Sequence, residues 1–341
     1  MAKVAINGLG RIGRTFFRLA IDRPDIEIVA VNDLGDLQNL AYLLKYDSAY
    51  GRSNFTVEVD GTNLKINGKL VTCLQERDPK ALPWAALAVD IVVESTGFFT
   101  TYESAAQHLT AGAKRVVISA PVKDGDGTAG VSGATVLMGV NEQALSTCSI
   151  SSNASCTTNA TSPLIAILKS AIGINKAVLN TVHAYTASQM LVDGPNKKDW
   201  REGRAAGLNI VPTSTGAAIA TTLAHPELVG KFDGIAMRVP VPVGSIVDVT
   251  FIASRPTTVE EVNNALVAAA ESDMWKHLFA TTSEKLVSSD IIGARYASIA
   301  DLAFTRVVDG DLVKVLAWYD NETSYTHTLV EHVAAVAKIL G

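Results

Sequence analysis

The stretch KVAINGLGRIGRTFFRLAID, residues 3 to 22, limits the possible folds more than any other part of the chain. KVAIN reads as a short buried strand, after which Ile12, Phe16, Leu19 and Ala20 recur at helical spacing. EIVAVND, residues 27 to 33, is the next strand. A strand, glycine turn, helix and second strand of this size form a right-handed parallel crossover. Gly8, Gly10 and Gly13 spell G-x-G-x-x-G between strand and helix, and Asp33 closes the following strand 20 residues after Gly13. In that setting the first glycine permits a tight turn and the second lets a pyrophosphate approach the backbone. The third allows close helix packing, and the helix N-terminus supplies positive potential. Asp33 then suits the hydroxyls of an adenosine ribose and repels a 2′-phosphate, which predicts NAD rather than NADP.

Further apolar runs at 90–95, 115–119 and 135–140 continue a parallel-sheet signature. TVEVDGTNLKINGKLVTCL alternates and carries DG and NG turns, so an antiparallel meander is expected as an insertion. The second half reads differently. A helix follows residue 156 through Leu164, Ile165, Leu168 and Ile172, and then AVLNTVHAY, GIAMRV, IVDVTFIAS, LAFTRVV and LVKVLAWYD alternate as strands. Helices are expected at about 258–271 and 326–340. The fold class is therefore α/β: a Rossmann-type, doubly wound parallel-sheet domain, plus an α+β catalytic domain with a mainly antiparallel sheet. The expected boundaries are 1–155 for the NAD-binding domain, with a C-terminal helix at about 320–341 packing back on it, and 156–319 for the catalytic and oligomerisation domain. Residues 187–211 form a long polar loop, a length usually tied to function or an interface.

The chain has 341 residues, is 48% hydrophobic and carries a formal net charge of -5 with both signs interspersed. That gives no electrostatic footprint for nucleic acid or an anionic membrane. No basic flank leads into a long apolar run at the N-terminus, and no apolar run approaches a bilayer-spanning length, so a cytoplasmic location is expected. Three cysteines, at 73, 148 and 156, are too few and scattered for a disulfide framework, and no spacing suits a structural metal.

One thiol stands out. SNASCTTNATS sets Cys156 between Ser155 and Thr157 at the start of a helix, where backbone N–H groups and the helix dipole favour thiolate. A buried structural cysteine is the alternative, but hydroxyls on both sides suit it poorly. Of six histidines, His183 is the best base, because it lies where a strand gives way to the long loop. A structural histidine would read the same in sequence. Arg238 stands in a mostly apolar strand and needs an anion, either a protein carboxylate or a substrate phosphate. Spacing does not show that these three residues converge.

NGLGRIGR, VAVND, STGFF, SNASCTTN, HAYTASQ, DGPNKKDWREGRAA, STGAA, MRVPVP and WYDNE together resemble the glyceraldehyde-3-phosphate dehydrogenase family, in order and over nearly the whole chain. The resemblance implies a glycolytic oxidoreductase that converts D-glyceraldehyde 3-phosphate, NAD and inorganic phosphate to 1,3-bisphosphoglycerate. Cys156 would be the nucleophile, forming a thiohemiacetal and then a thioester, and His183 the base. It places Thr186 and Arg238 at the substrate phosphate, with Arg201 also in the anion-binding set. Ser155, Thr157, Thr215 and Gly216 match the attacking-phosphate site. Arg11, Ile12, Asp33, Arg77, Thr96, Ser119 and Asn321 join the glycines as cofactor contacts, with Asn321 holding the nicotinamide carboxamide. A homotetramer is implied, with loop 187–211 reaching a neighbouring cofactor site; no metal is. Three departures from the family pattern are Ala160, where a second cysteine is common, NETSYT, residues 321–326, in place of the usual NEWGYS, and Glu202, where many members carry an arginine near the substrate phosphate, while Arg201 and Arg204 keep the pattern of a second subgroup. The nearest rival chemistry is oxidation of erythrose 4-phosphate to a free acid. A binding protein on a dehydrogenase fold would have no use for both thiol and base. Acyl transfer by a Cys–His pair without redox would leave the glycine turn and Asp33 unexplained.

Overall fold

The computed structural model describes residues 1–124 and 130–341. They form two compact units, Met1–Ala154 with Thr326–Gly341, and Ser155–Tyr325.

The first unit runs β1 (Ala2–Asn7), α1 (Arg11–Ala20), β2 (Ile26–Asn32), α2 (Leu37–Lys45), β3 (Tyr46–Asp47), β4 (Gly51–Arg52), β5 (Val57–Asp60), β6 (Asn63–Ile66), β7 (Lys69–Leu74), β8 (Ile91–Glu94), α3 (Tyr102–Ala105), α4 (Gln107–Thr110), β9 (Arg115–Ile118), β10 (Gly133–Thr135) and β11 (Ile150–Ser152). Among the described residues these give a nine-stranded sheet in the order β10-β11-β9-β8-β1-β2-β7-β6-β5. The strands from β10 to β7 pair in parallel, whereas β5, β6 and β7 pair antiparallel, as the alternating, turn-rich segment predicts. Strand order reverses at β1, which has β2 on one side and β8 on the other. Open parallel sheets bind ligands outside the carboxyl ends of their strands at such a reversal, and Gly8 follows β1 there.

The sheet is held by a core in which Val4, Ile6, Phe16 and Phe17 pack with Leu329, Val330 and Val333 of the C-terminal helix, Thr323–Leu340. Phe16 and Phe17 are fully buried, so Phe16→Ala should cost about 3–5 kcal/mol. Only the first part of the apolar run at 135–140 is strand: β10 ends at Thr135, and Val136 and Leu137 are buried in the turn that follows.

The second unit runs α5 (Cys156–Ala171), β12 (Ile174–Ala184), β13 (Val211–Ser214), α6 (Ala217–Ala224), β14 (Phe232–Val239), β15 (Ser245–Ala253), α7 (Val259–Glu271), β16 (Phe279–Thr282), β17 (Ser298–Val308) and β18 (Leu312–Tyr319). Its seven-stranded sheet has the order β13-β14-β12-β15-β18-β17-β16. Four neighbouring pairs are antiparallel, and β12–β14 and β16–β17 are parallel. Strict alternation of burial along β15 shows why SIVDVTFIA is a strand with one covered face. Leu164, Ile165 and Leu168 of α5 and Val262 and Leu266 of α7 are buried. Val178 and Ile235, on adjacent strands, are 56% and 50% exposed. Loop 187–211 is tied by its own contacts, with Met190 N–H donating to Glu202 O at 3.1 Å and Gly194 N–H to Gly203 O at 2.8 Å.

In the first unit, His332 is buried without charge compensation. Its Nδ1 lies 3.1 Å from Asn153 Oδ1 and its Nε2 2.8 Å from Ser151 Oγ, a neutral imidazole donating through one nitrogen and accepting through the other. Burial pushes its pKa down to about 3 from the ordinary 6.5. Between these values the unfolded chain binds a proton that the folded chain refuses, so stability is lost as pH falls from 6.5 toward 3. His332→Gln should remove a slope of up to about 1.4 kcal/mol per pH unit from that interval, read as a flatter dependence of Tm on pH. Parallel Tm curves for wild type and variant would contradict this.

Candidate active site

In the first unit, the turn after β1 is shaped by what a side chain would strike. Gly8 has φ +97°, and a Cβ there would lie 2.7 Å from Thr96 N. A Cβ on Gly13 would run into the Gly8 carbonyl oxygen, so α1 starts closer to β1 than any other residue allows. Gly10 precedes α1 without a side-chain cap and has nothing within 4 Å of its absent Cβ, leaving the helix N-terminus open to an approaching anion. The Asp33 carboxylate is fixed by Leu9 N–H at 2.7 Å and Gly35 N–H at 2.8 Å.

These residues border a cavity of about 520 Å³ whose lining includes Gly8, Gly10, Asp33, Arg77 and Thr96. Arg11, Ile12, Gly13 and Ser119 do not line it. Arg11 Nη1 pairs with Asp47 at 2.5 Å, Ile12 packs into the core, and Ser119 N–H donates to Glu94 O at 2.9 Å. The cavity wall rests on a buried polar network that sequence patterns do not signal. Glu94 Oε1 accepts from Thr96 N–H at 2.8 Å, and Glu94 Oε2 accepts from Asn7 Nδ2 at 2.6 Å. Asn7 Oδ1 in turn accepts from Asn32 Nδ2 at 2.7 Å. A tight glycine turn, an open helix N-terminus and a fixed carboxylate fit a dinucleotide without a 2′-phosphate.

In the second unit, α5 begins at Cys156 and Ser155 is its N-cap, accepting from Thr158 N–H at 3.1 Å. Pro163 lies inside this helix without ending it. Parallel pairing of β12 with β14 sets His183 beside Arg238. Cys156 Sγ lies 3.3 Å from His183 Nε2. His183 Nδ1 lies 2.6 Å from Ala184 O and 2.5 Å from Arg238 Nη1. The three residues that spacing could not connect thus form one cluster. Tyr319, which sequence reasoning did not single out, supports it: its hydroxyl lies 2.9 Å from both Thr157 Oγ1 and Thr181 Oγ1, and its ring meets His183 edge-on. The buried Nε of Arg238 has no hydrogen-bond partner among the described residues, and no carboxylate pairs with this guanidinium there.

The electrostatics differ from those expected of a helix start. Burial pushes the Cys156 thiol up, opposed by the charge of Arg238 and by the hydroxyl and amide of Thr157. Burial, reinforced by Arg238, pushes His183 down to about 3. The donors that favour thiolate are present, and desolvation of the thiol opposes them. A neutral imidazole can take a proton.

The remaining sequence-derived positions are more scattered. Thr186 Oγ1 lies 3.1 Å from Ser188 Oγ, Thr215 Oγ1 accepts from Ala217 N–H at 3.2 Å, and Gly216 is the N-cap of α6. Arg201 is engaged at the surface by Asp199, with Nη2 to Oδ2 at 2.8 Å, and no hydrogen bond joins it to the Cys156 cluster among the described residues. Asn321 Oδ1 accepts from Gly244 N–H and Ser245 Oγ, each at 3.1 Å, which leaves its amide nitrogen as the group able to donate to a ligand.

Sequence profiles match on both sides of this description. Residues 2–102 match the glyceraldehyde 3-phosphate dehydrogenase NAD binding domain, and residues 155–321 match the C-terminal domain of the same enzyme. The glyceraldehyde-3-phosphate dehydrogenase of Geobacillus stearothermophilus is 50% identical over 337 residues, covering 98% of each chain. Glyceraldehyde-3-phosphate dehydrogenase 1 of Bacillus subtilis is 48% identical over 338 residues, again covering 98% of each. That of Clostridium acetobutylicum is 46% identical over 344 residues, 99% of each. The chain belongs to the glyceraldehyde-3-phosphate dehydrogenase family. Membership accounts for both halves together, a dinucleotide cleft and a thiol–imidazole–guanidinium cluster. No helix among the described residues is long and apolar enough to cross a membrane.

Two measurements follow for this family member. Arg238 lowers the thiol pKa, so Arg238→Gln should raise it and slow iodoacetamide alkylation of Cys156 at pH 7 about tenfold, one pKa unit. An unchanged rate would show that the guanidinium does not act on the sulfur. Asp33→Ala should lower kcat/KM for NAD about tenfold or more and narrow its preference over NADP, and an unaltered NAD:NADP ratio would refute the role of that carboxylate.

Proposed function

We propose that the chain is the NAD-dependent, phosphorylating glyceraldehyde-3-phosphate dehydrogenase of glycolysis and gluconeogenesis, with Cys156 as nucleophile and His183 as base. The observation that carries the residue roles is the 3.3 Å contact between Cys156 Sγ and His183 Nε2. His183 takes the thiol proton as sulfur attacks the aldehyde carbon and passes it to the carbonyl oxygen, giving a thiohemiacetal on Cys156 and a neutral imidazole again. NAD, when bound, would supply the acceptor for the hydride that leaves the adduct carbon as the thioester forms. His183 accepts the hydroxyl proton of the thiohemiacetal in that step, a role open to an imidazole that is neutral at rest. Inorganic phosphate then attacks the thioester carbon, the C–S bond breaks, and the sulfur regains its proton as 1,3-bisphosphoglycerate leaves.

Arg238, with its buried Nε lacking a partner among the described residues, and Thr186 bind the phosphate of the triose. Ser155, Thr157, Thr215 and Gly216 receive the attacking phosphate. Thr157 then shares its hydroxyl with Tyr319, and Ser155 adds this duty to its helix cap. Arg201 enters the anion site by releasing Asp199. Gly8, Gly10, Gly13, Asp33, Arg77 and Thr96 hold the adenosine and pyrophosphate, Arg11, Ile12 and Ser119 act through their backbone or through neighbours, and Asn321 holds the carboxamide. Exposed Val178 and Ile235 on one sheet face, and exposed Leu191, Val192 and Trp200 in loop 187–211, support a homotetramer.

The purified protein should form NADH only when triose phosphate and phosphate or arsenate are both present, and Cys156→Ala should lower kcat by about 10³-fold or more. Equal turnover of erythrose 4-phosphate without phosphate dependence, or a fully active Cys156→Ala variant, would overturn the reading.

A further inference from the structure

The hydroxyl of Ser245 sits where the two halves of the proposed chemistry meet within the second unit. Ser245 opens β15, the strand between β12, which ends at Ala184, and β18, which ends at Tyr319. The register pairs Ser245 with Tyr319 on one side and Ile246 with Val182 on the other. The residue is buried, and its one hydroxyl is used twice: its O–H donates to Asn321 Oδ1 at 3.1 Å, and its oxygen accepts from Ala184 N–H at 3.1 Å.

Both contacts bear on working groups. Asn321 Oδ1 accepts as well from Gly244 N–H, at a glycine of φ +93° whose Cβ would run into the Ser288 carbonyl. With two donors on Oδ1, the amide cannot flip without placing its own NH2 against an N–H and an O–H. On the other side, the carbonyl of Ala184 is the group 2.6 Å from His183 Nδ1, and Arg238 Nη1 lies 3.3 Å from it. The backbone around Asn321 is braced separately. Asp320 accepts from Glu322 N–H and Thr323 N–H at 2.8 Å, and Ser324 Oγ accepts from Asp320 N–H at 3.0 Å and donates to Ala294 O at 2.9 Å. Thr323 and Ser324, which replace the usual Trp-Gly pair, therefore leave a firmly held helix start, and the orientation of the Asn321 side chain is left to Gly244 and Ser245.

We propose that Ser245 is a positioning residue that couples the cofactor-holding amide of Asn321 to the His183–Ala184 segment that presents the base. The inference rests on the reading that Asn321 holds the nicotinamide carboxamide and His183 serves Cys156. Loss of the hydroxyl frees the Asn321 amide to rotate and leaves the Ala184 N–H unpaired, so one substitution disturbs two functions that touch different ligands.

Ser245→Ala is the first test, and Ser245→Cys, which keeps the volume with a poor hydrogen-bond donor, repeats it without a cavity. In each, KM for NAD should rise about tenfold. Deuterium from C1-labelled triose phosphate should reach both faces of the nicotinamide instead of one. Cys156 alkylation in the absence of NAD should slow several-fold. Ser245→Thr should restore all three readouts. Asn321→Ala should change the NAD readouts but not alkylation, and adding Ser245→Ala to it should raise KM no further. Wild-type values for all three readouts in both Ser245 variants, or altered Tm alone, would overturn the role of Ser245. An Asn321→Ala variant with unchanged KM and deuterium transfer would instead overturn the carboxamide reading beneath it.

Discussion

The contact between Cys156 Sγ and His183 Nε2, 3.3 Å long, is the interaction on which the rest of the second unit converges. A thiol at a helix start and an imidazole at a strand end come from segments 27 residues apart, and neither is useful without the other. What holds them together is sheet register. Parallel β12 and β14 put Arg238 against the far nitrogen of His183, while β15 and β18, on the other side of β12, bring Ser245 and Tyr319 to the same end of the sheet. Slipping β12 by one residue would send His183 to the opposite face and dissolve the site, so the apolar alternation that fixes register also fixes the chemistry.

Burial has a double effect here. It raises the cost of either charged form, and it strengthens each remaining electrostatic contact once charge develops on sulfur or imidazole. Arg238 and the Thr157 amide and hydroxyl are already in place for that moment, which spares reorganisation during the reaction. In the first unit the same economy appears in the cleft, where the buried Glu94 side chain anchors Thr96 and Asn7 while Asp33 is fixed by Leu9 N–H.

The sequence made some of this legible and hid the rest for physical reasons. KVAINGLGRIGR and Asp33 announce themselves because backbone clearance at Gly8 and Gly13 tolerates no side chain and the acid must follow one strand later. The meander β5–β7 was readable from alternation and its DG and NG turns, and the antiparallel character of the second sheet from its strand density. Cys156 and His183 could be named as nucleophile and base, but their convergence depends on pairing between distant strands, which periodicity does not encode. Tyr319 and Ser245 look like ordinary strand residues and matter only through a single hydroxyl each. The upward push of desolvation on the thiol was hidden too, because local sequence shows the helix start but not the packing around it.

Mass spectrometry of the acid-quenched enzyme most directly tests whether a covalent bond to Cys156 carries the reaction. With saturating triose phosphate and NAD and no inorganic phosphate, the account predicts a burst of NADH matched by a phosphoglyceroyl group on the peptide containing Cys156, discharged when phosphate is added. A burst of NADH with that peptide unmodified, or with the acyl group on Cys73 or Cys148, would contradict it.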